Sequence, residues 1–279
     1  MKTLLNKYIS SAIRTRFAYM RHDFLISRFI TPLKILRRRQ RLLAYHLSSF
    51  NDLKAQGYTI IYNYFSEDQC KKAAIDLKKA YENYPAFIAK SEDKRIFGIE
   101  QILPVARTLA QDDDFLELGE LINQERTYCA FTLGNWLESG KGGSSGDGWH
   151  RDSFFSQYKA LLYLTDVTEE NGPFELLPGS HHLKSVLKGI EKAGIDYMQN
   201  RLSDDEVYRL EEILTTPRKP ITGRAGTLIL FNSSSVHRGR PIRSGERLAF
   251  TNYYFPVSRG IRDVQKLFSP VVVAADVQK

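Results

Sequence analysis

Gly148-Trp149-His150-Arg151-Asp152 is the stretch on which the reading of this chain turns. In an extended segment successive side chains point to opposite faces, so His150 and Asp152 share one face while Arg151 takes the other. The spacing predicts an imidazole and a carboxylate on neighbouring pleats, about 7 Å apart along the strand and close enough to chelate one ion. A second imidazole, His237, sits in Val236-His237-Arg238-Gly239, just after the buried-strand run Gly226-Thr227-Leu228-Ile229-Leu230-Phe231. Two nitrogen ligands and one oxygen ligand suit Fe(II), held on one face with the other open to oxygen chemistry. His150, Asp152 and His237 are therefore the candidate metal ligands and the candidate catalytic centre.

A lone HxD triplet is a weak signal, and its surroundings raise it. Arg247 follows His237 and opens the strand Leu248-Ala249-Phe250-Thr251-Asn252-Tyr253-Tyr254, so it can point inward. Its guanidinium is a planar fork that matches a carboxylate with two parallel hydrogen bonds, the clamp that the distal carboxylate of 2-oxoglutarate requires. Arg240 and Arg243 lie nearer His237, but Pro241 and Ser244-Gly245 place them in the connecting turn. His22, His46, His181 and His182 have no comparable arrangement and read as structural or exposed. A kinase reading of His150-Arg151-Asp152 fails, because the following Asn, the DFG triplet and the VAIK lysine of that catalytic loop are missing from the sequence.

At 279 residues the chain is long enough for a sizeable core. Two cysteines cannot build a disulfide framework, which points to a reducing, cytoplasmic compartment. The net charge of +8 would suggest nucleic acid until it is located. Residues 1–41 hold eleven basic side chains against one acid, leaving the rest of the chain at −2, so no nucleic-acid groove is expected in the main domain. Within residues 1–45, Leu5, Ile9, Ile13 and Phe17, then Leu25, Phe29, Leu33 and Leu36, recur at helical spacing among basic residues. This basic amphipathic extension has three readings: a helical pair packed on the main domain, a peripheral helix on an anionic membrane, or a mitochondrial transit peptide. No apolar run is long enough to span a bilayer.

Residues 46–279 read as one domain. Gly57 to Asn63 is a β-branched and aromatic strand, and Ser66 with Gln69 forms a capping box opening a helix to about Tyr81. From Arg126 onward short extended segments alternate with turns, at 127–133, 158–165, 174–177, 227–231 and 247–257. The Gly/Ser-rich stretch 139–146 reads as a flexible loop at the mouth of a site. Between 185 and 217 the period turns helical, with a second capping box at Ser203 and Glu206 opening a helix over 204–214. This insertion reads either as a lid facing the substrate or as a surface decoration.

In order along the chain, Trp149-His150-Arg151-Asp152, Leu164-Thr165-Asp166-Val167-Thr168-Glu169-Glu170-Asn171-Gly172-Pro173 and Leu177-Pro178-Gly179-Ser180-His181 are followed by the 226–231 strand, Val236-His237-Arg238-Gly239 and Arg247. This set resembles the phytanoyl-CoA dioxygenase family of Fe(II)/2-oxoglutarate-dependent oxygenases over about residues 57–256. The resemblance implies an α+β, mainly β architecture: a double-stranded β-helix (jelly-roll, cupin-like) core flanked by helices. It also implies Fe(II) on His150, Asp152 and His237, 2-oxoglutarate as co-substrate on Arg247, and O₂ as oxidant. A carboxylate at 152 fills the position that related halogenases leave for chloride, so hydroxylation of a small or lipid-linked substrate is expected. Two other classes remain open at this point: an oxygen-independent metal enzyme of the same fold, such as an isomerase, and a membrane-associated binding protein without catalysis.

Overall fold

The computed structural model describes residues 44–84, 87–88, 93–123, 126–139, 148–154, 156–196 and 198–257. The readings of the N-terminal extension concern residues that lie, but for the last two, outside this set, as does all but the first residue of the Gly/Ser-rich stretch.

Helix α1 (Ala44–Ala55) leads through Gly57, at φ 88°, into strand β1 (Tyr58–Ile61). Helix α2 (Glu67–Asn83) opens on the expected capping box. The Ser66 hydroxyl accepts from the Gln69 N–H at 3.2 Å, and the Gln69 side-chain oxygen accepts from the Ser66 N–H at 2.8 Å. Glu67 and Asp68 then sit against the positive end of the helix. Strands β2 (Phe87–Ile88) and β3 (Lys94–Phe97) and helices α3 (Pro104–Ala110) and α4 (Asp113–Asn123) complete the first half.

The second half holds β4 (Thr127–Glu138), β5 (Trp149–His150), β6 (Tyr158–Tyr163) and β7 (Phe174–Leu176), then helix α5 (Leu183–Lys192). After it come β8 (Arg201–Leu202), helix α6 (Asp204–Leu214), β9 (Lys219–Ile221), β10 (Leu228–Asn232), β11 (His237–Gly239) and β12 (Glu246–Pro256).

These strands form two antiparallel sheets, seven-stranded in the order β1-β10-β6-β12-β4-β3-β2 and five-stranded in the order β8-β5-β11-β7-β9. The molecule is thus a mixed α and β structure: β1 to β4 stay in the large sheet, and from β5 on the chain crosses repeatedly between the two. Their facing sides share one apolar cluster: Leu161, Tyr163, Ile229, Phe231 and Ala249 from the large sheet against Phe174, Leu176 and Ile221 from the small one. The outer face of the large sheet is covered by α1 to α4 through Leu53, Leu77, Leu109 and Leu118. The outer face of the small sheet, with Trp149, Leu202 and Val236, is covered by α6 and the end of α5 through Ala193, Val207 and Leu210. Neither reading of 185–217 describes this packing fully. Its helices form the back wall of the small sheet, and its strand β8 is hydrogen-bonded to β5.

Strand β4 runs five residues past the expected 133 because β12 pairs with it along its whole length, down to Glu246 opposite Glu138. Gly226 marks a backbone crossing: at φ +89°, a β-carbon there would stand 2.1 Å from the Phe65 carbonyl oxygen. Gly226→Ala must move backbone rather than a side chain, so a loss of roughly 2–4 kcal/mol is expected in chemical denaturation. A cost under about 0.5 kcal/mol, as at an ordinary surface site, would show that the crossing yields freely.

Candidate metal centre

Strand β5 pairs antiparallel with β11, with His150 directly opposite His237. Directly opposed residues project from the same face, and the two imidazole centroids are 4.4 Å apart. Their neighbours Trp149 and Val236 point the other way, into the cluster behind the sheet. The expectation that Asp152 shares a strand with His150 is not met: the strand ends at His150, and Asp152 lies in the bend beyond. That bend is set by long-range hydrogen bonds, the Arg151 N–H donating to the Asn200 carbonyl at 2.7 Å and the Asp152 N–H to the Ser233 carbonyl at 3.0 Å. Arg151 itself is buried and donates to the carbonyls of Ser180, at 2.7 Å, and Ser234.

The three side chains nevertheless converge. Asp152 Oδ1 is 3.6 Å from His150 Nε2, and Asp152 Oδ2 is 3.8 Å from His237 Nε2. One ligand atom from each lies within 4.8 Å of the others, a group able to hold one metal ion. Each imidazole is oriented by a backbone carbonyl two residues earlier: His150 Nδ1 lies 2.9 Å from the Gly148 oxygen, and His237 Nδ1 2.9 Å from the Ser235 oxygen. A carbonyl only accepts, so Nδ1 carries the proton and Nε2 presents its lone pair to the centre. Burial pushes His237 down to about 3 and also lowers His150, so both rings are neutral at physiological pH. Burial would raise Asp152, but Lys159, His237 and His150 outweigh it and hold this carboxyl well below the usual range.

Lys159 escaped the sequence reading. It is buried in the otherwise apolar strand β6, with Nζ 2.6 Å from Asp152 Oδ2 and 3.8 Å from the centroid of the Tyr253 ring. A lone lysine in a strand with every position buried was the available signal, since such a charge requires a partner. Phe174 and Phe231 stand 5.5 and 5.4 Å from His237, ring to ring, and wall the centre on its apolar side.

Arg247 is buried, as expected, and lines the same cavity of about 210 Å³. It donates to the Gly172 carbonyl and, at 3.2 Å, to Asn135 Oδ1, while its Nε is buried without a partner among the described residues. Asn135 in turn donates to Asp93, which also accepts from Arg95 Nε at 2.7 Å. None of Asp93, Arg95 or Asn135 was singled out in the sequence, because they converge only through the pairing of β3 with β4. Arg240 and Arg243 lie outside the cavity, paired with Glu169, Glu175 and Glu170. His181 and His182 reach the Lys54 and Ala55 carbonyls, at 3.1 and 2.9 Å, and bind the end of α1.

The profile of the phytanoyl-CoA dioxygenase (PhyH) family matches residues 53–249, most of the chain. The chain belongs to that family. Ectoine dioxygenase from Bordetella bronchiseptica is 22% identical over 205 residues, covering 65% of this chain and 65% of that protein. This PhyH-family chain therefore spans about two thirds of that relative's length. Among solved structures, EctD from S. alaskensis with 2-oxoglutarate and 5-hydroxyectoine bound has a TM-score of 0.60 at 22% identity, covering 78% of this chain and 77% of that one. The epimerase SnoN, in complex with Fe3+, alpha ketoglutarate and nogalamycin RO, has a TM-score of 0.60 at 16% identity, covering 80% and 90%. Both likenesses establish a shared fold.

Asp152→Ala leaves two imidazoles and a buried ammonium without its carboxylate. Metal affinity measured by calorimetry should fall at least about 100-fold, and affinity within a few-fold of the parent would exclude this group as the metal site. The pH dependence of the metal-free protein has a definite sign. His237 binds a proton near 6.5 when unfolded and near 3 when folded, so its contribution is present above pH 6.5 and fades as pH falls toward 3. The melting temperature should therefore drop across that window, and His237→Gln should flatten the slope.

Proposed function

We propose that this chain is an Fe(II)/2-oxoglutarate-dependent dioxygenase that hydroxylates a C–H bond of a small molecule. His150, Asp152 and His237 are the metal ligands in this reading, and Arg247 takes the C5 carboxylate of 2-oxoglutarate. The two antiparallel sheets are the halves of a double-stranded β-helix within a domain spanning 46–279, with 185–217 inserted into it. One observation carries the proposal: two neutral imidazole Nε2 atoms and an ionised carboxylate meet beside a buried guanidinium whose Nε lacks a partner. The family and the fold shared with EctD, bound to 2-oxoglutarate and 5-hydroxyectoine, support it.

Two nitrogens and one oxygen suit ferrous iron, and a buried unpaired donor suits an anionic partner. Bound there, Fe(II) with 2-oxoglutarate would supply oxygen activation, with the co-substrate as the reductant. The protein's own contribution is orientation and shielding. The Gly148 and Ser235 carbonyls fix both imidazoles, Lys159 keeps Asp152 ionised and aimed inward, and Phe174 and Phe231 exclude water beside His237. Asn135 and the Gly172 carbonyl hold the two terminal nitrogens of the Arg247 guanidinium. Ectoine dioxygenase, as the name of a relative, supports a small substrate; a lipid-linked one or membrane contact through residues 1–45 gains nothing from it.

An epimerase shares this fold, so the fold alone does not select hydroxylation. Arg247→Ala separates the oxygen-independent alternative from the proposal. Losing a charge-assisted clamp of about 1.5–3 kcal/mol should weaken 2-oxoglutarate binding to the metal-loaded protein roughly 10–100-fold by calorimetry, without changing metal affinity. If the wild-type metal-loaded protein takes up no 2-oxoglutarate at all, the dioxygenase reading fails.

A further inference from the structure

Asp152 turns both of its oxygens toward the candidate metal centre. Oδ1 stands 3.6 Å from His150 Nε2, and Oδ2 stands 3.8 Å from His237 Nε2. By position alone this carboxylate could grip an ion with one oxygen or with two. Lys159 breaks the symmetry. Its Nζ lies 2.6 Å from Oδ2, a short charge-assisted hydrogen bond.

Strand register keeps that ammonium in place. Lys159 sits on β6 between β10 and β12, directly opposite Phe231 on one side and Tyr253 on the other. Alternation puts it on the face of Leu161 and Tyr163, toward the small sheet. The head group lies 3.8 Å from the centroid of the Tyr253 ring, a cation–π contact that holds it beside Oδ2. Because the side chain is buried, moving it off the carboxylate would strand a charge in an apolar wall. The Asp152 backbone does not need this support. Its bend is already tied by the Asp152 N–H to the Ser233 carbonyl, at 3.0 Å, and by the Arg151 N–H to the Asn200 carbonyl, at 2.7 Å. What Lys159 adds is control over the carboxylate's two oxygens.

We propose that Lys159 is a positioning residue that occupies Oδ2, so that Asp152 meets the metal through Oδ1 alone. The inference rests on the dioxygenase reading and deepens it. An oxygen that accepts from an ammonium has committed a lone pair to that proton and is the poorer donor to a cation. Two imidazoles and one carboxylate serve ferrous iron by leaving positions open, and a chelating keto acid needs two of them. A carboxylate bound through both oxygens would close one. Lys159 therefore keeps a position available for 2-oxoglutarate. Its charge also repels the nearby dication, so the same contact lowers metal affinity while raising co-substrate affinity. A residue that only supported the fold would move both in one direction.

The test uses the full chain with Mn(II), which binds without turnover, in the wild type, Lys159→Met and Lys159→Arg. Crystals of the Mn(II)-loaded proteins give the distance of each Asp152 oxygen from the metal. The expected result is Oδ1 alone at bonding distance in the wild type and in Lys159→Arg, and both oxygens at bonding distance in Lys159→Met. By calorimetry, 2-oxoglutarate should bind Mn(II)-loaded Lys159→Met at least about tenfold more weakly than the wild type, while Mn(II) itself binds as tightly or more tightly. Two bound oxygens in the wild type, or Oδ2 as its ligand, overturn the proposal without recourse to any variant. One bound oxygen in Lys159→Met, or 2-oxoglutarate affinity within about threefold of the wild type there, overturns it as well. Joint loss of Mn(II) and 2-oxoglutarate affinity in Lys159→Met marks a scaffold role and has the same consequence. If the Mn(II)-loaded wild type takes up no 2-oxoglutarate, the dioxygenase reading falls instead, and the oxygen distances still judge Lys159.

Discussion

The antiparallel pairing of β5 with β11 is the contact on which the rest of the site depends. Strand β5 is two residues long and β11 three, yet their register sets His150 against His237 and turns Trp149 and Val236 outward together. A slip of one residue would exchange these faces, putting an indole in the cavity and imidazoles in an apolar cluster. Such short strands cannot hold register by themselves. They are braced by β7 and β8 on either side and by α6, whose Asp204 accepts from the Trp149 indole N–H at 2.8 Å.

Electrostatics supplies the second constraint. The cavity gathers buried charge, and each charge is admitted by a partner. Lys159 and Asp152 satisfy one another, and Asp93 receives Arg95 and Asn135. Arg247 is the exception, with two of its nitrogens engaged and Nε orphaned. A buried donor without an acceptor costs about 1–3 kcal/mol, a cost that an anionic ligand would relieve. The two imidazoles show the same preparation: carbonyls hold both protons on Nδ1, so both nitrogens facing the centre stand ready for a cation.

Much of this was legible in the sequence, for identifiable reasons. Ser66 with Gln69 and Ser203 with Glu206 are local devices whose hydrogen bonds span three residues, so their helices begin where the pattern puts them. Apolar and β-branched runs marked β6, β10 and β12 within a residue or two. Residues 94–123 were not resolved into elements, because α3 is seven residues long, too short for a helical period to declare itself, and β3 takes its place only by pairing with β4. Arg95 and Asn135 were missed for a related reason: nothing in their own neighbourhoods distinguishes a cavity-lining side chain from a solvated one. Lys159 left one signal, a single charge in an apolar strand, but its partner Asp152 meets it only through the fold.

The sequence by itself marked His150, Asp152 and His237 as a convergent group, Arg247 as an inward arginine and β6, β10 and β12 as strands, because these follow from residue type and from a period of two. Tertiary structure alone decided that Asp152 reaches the centre from a bend rather than from a strand. It also decided that Lys159 meets that carboxylate, and that β8 places Arg201 opposite His150. Those outcomes are set by pairings between segments tens of residues apart, and no local pattern encodes which strand edge a segment will find.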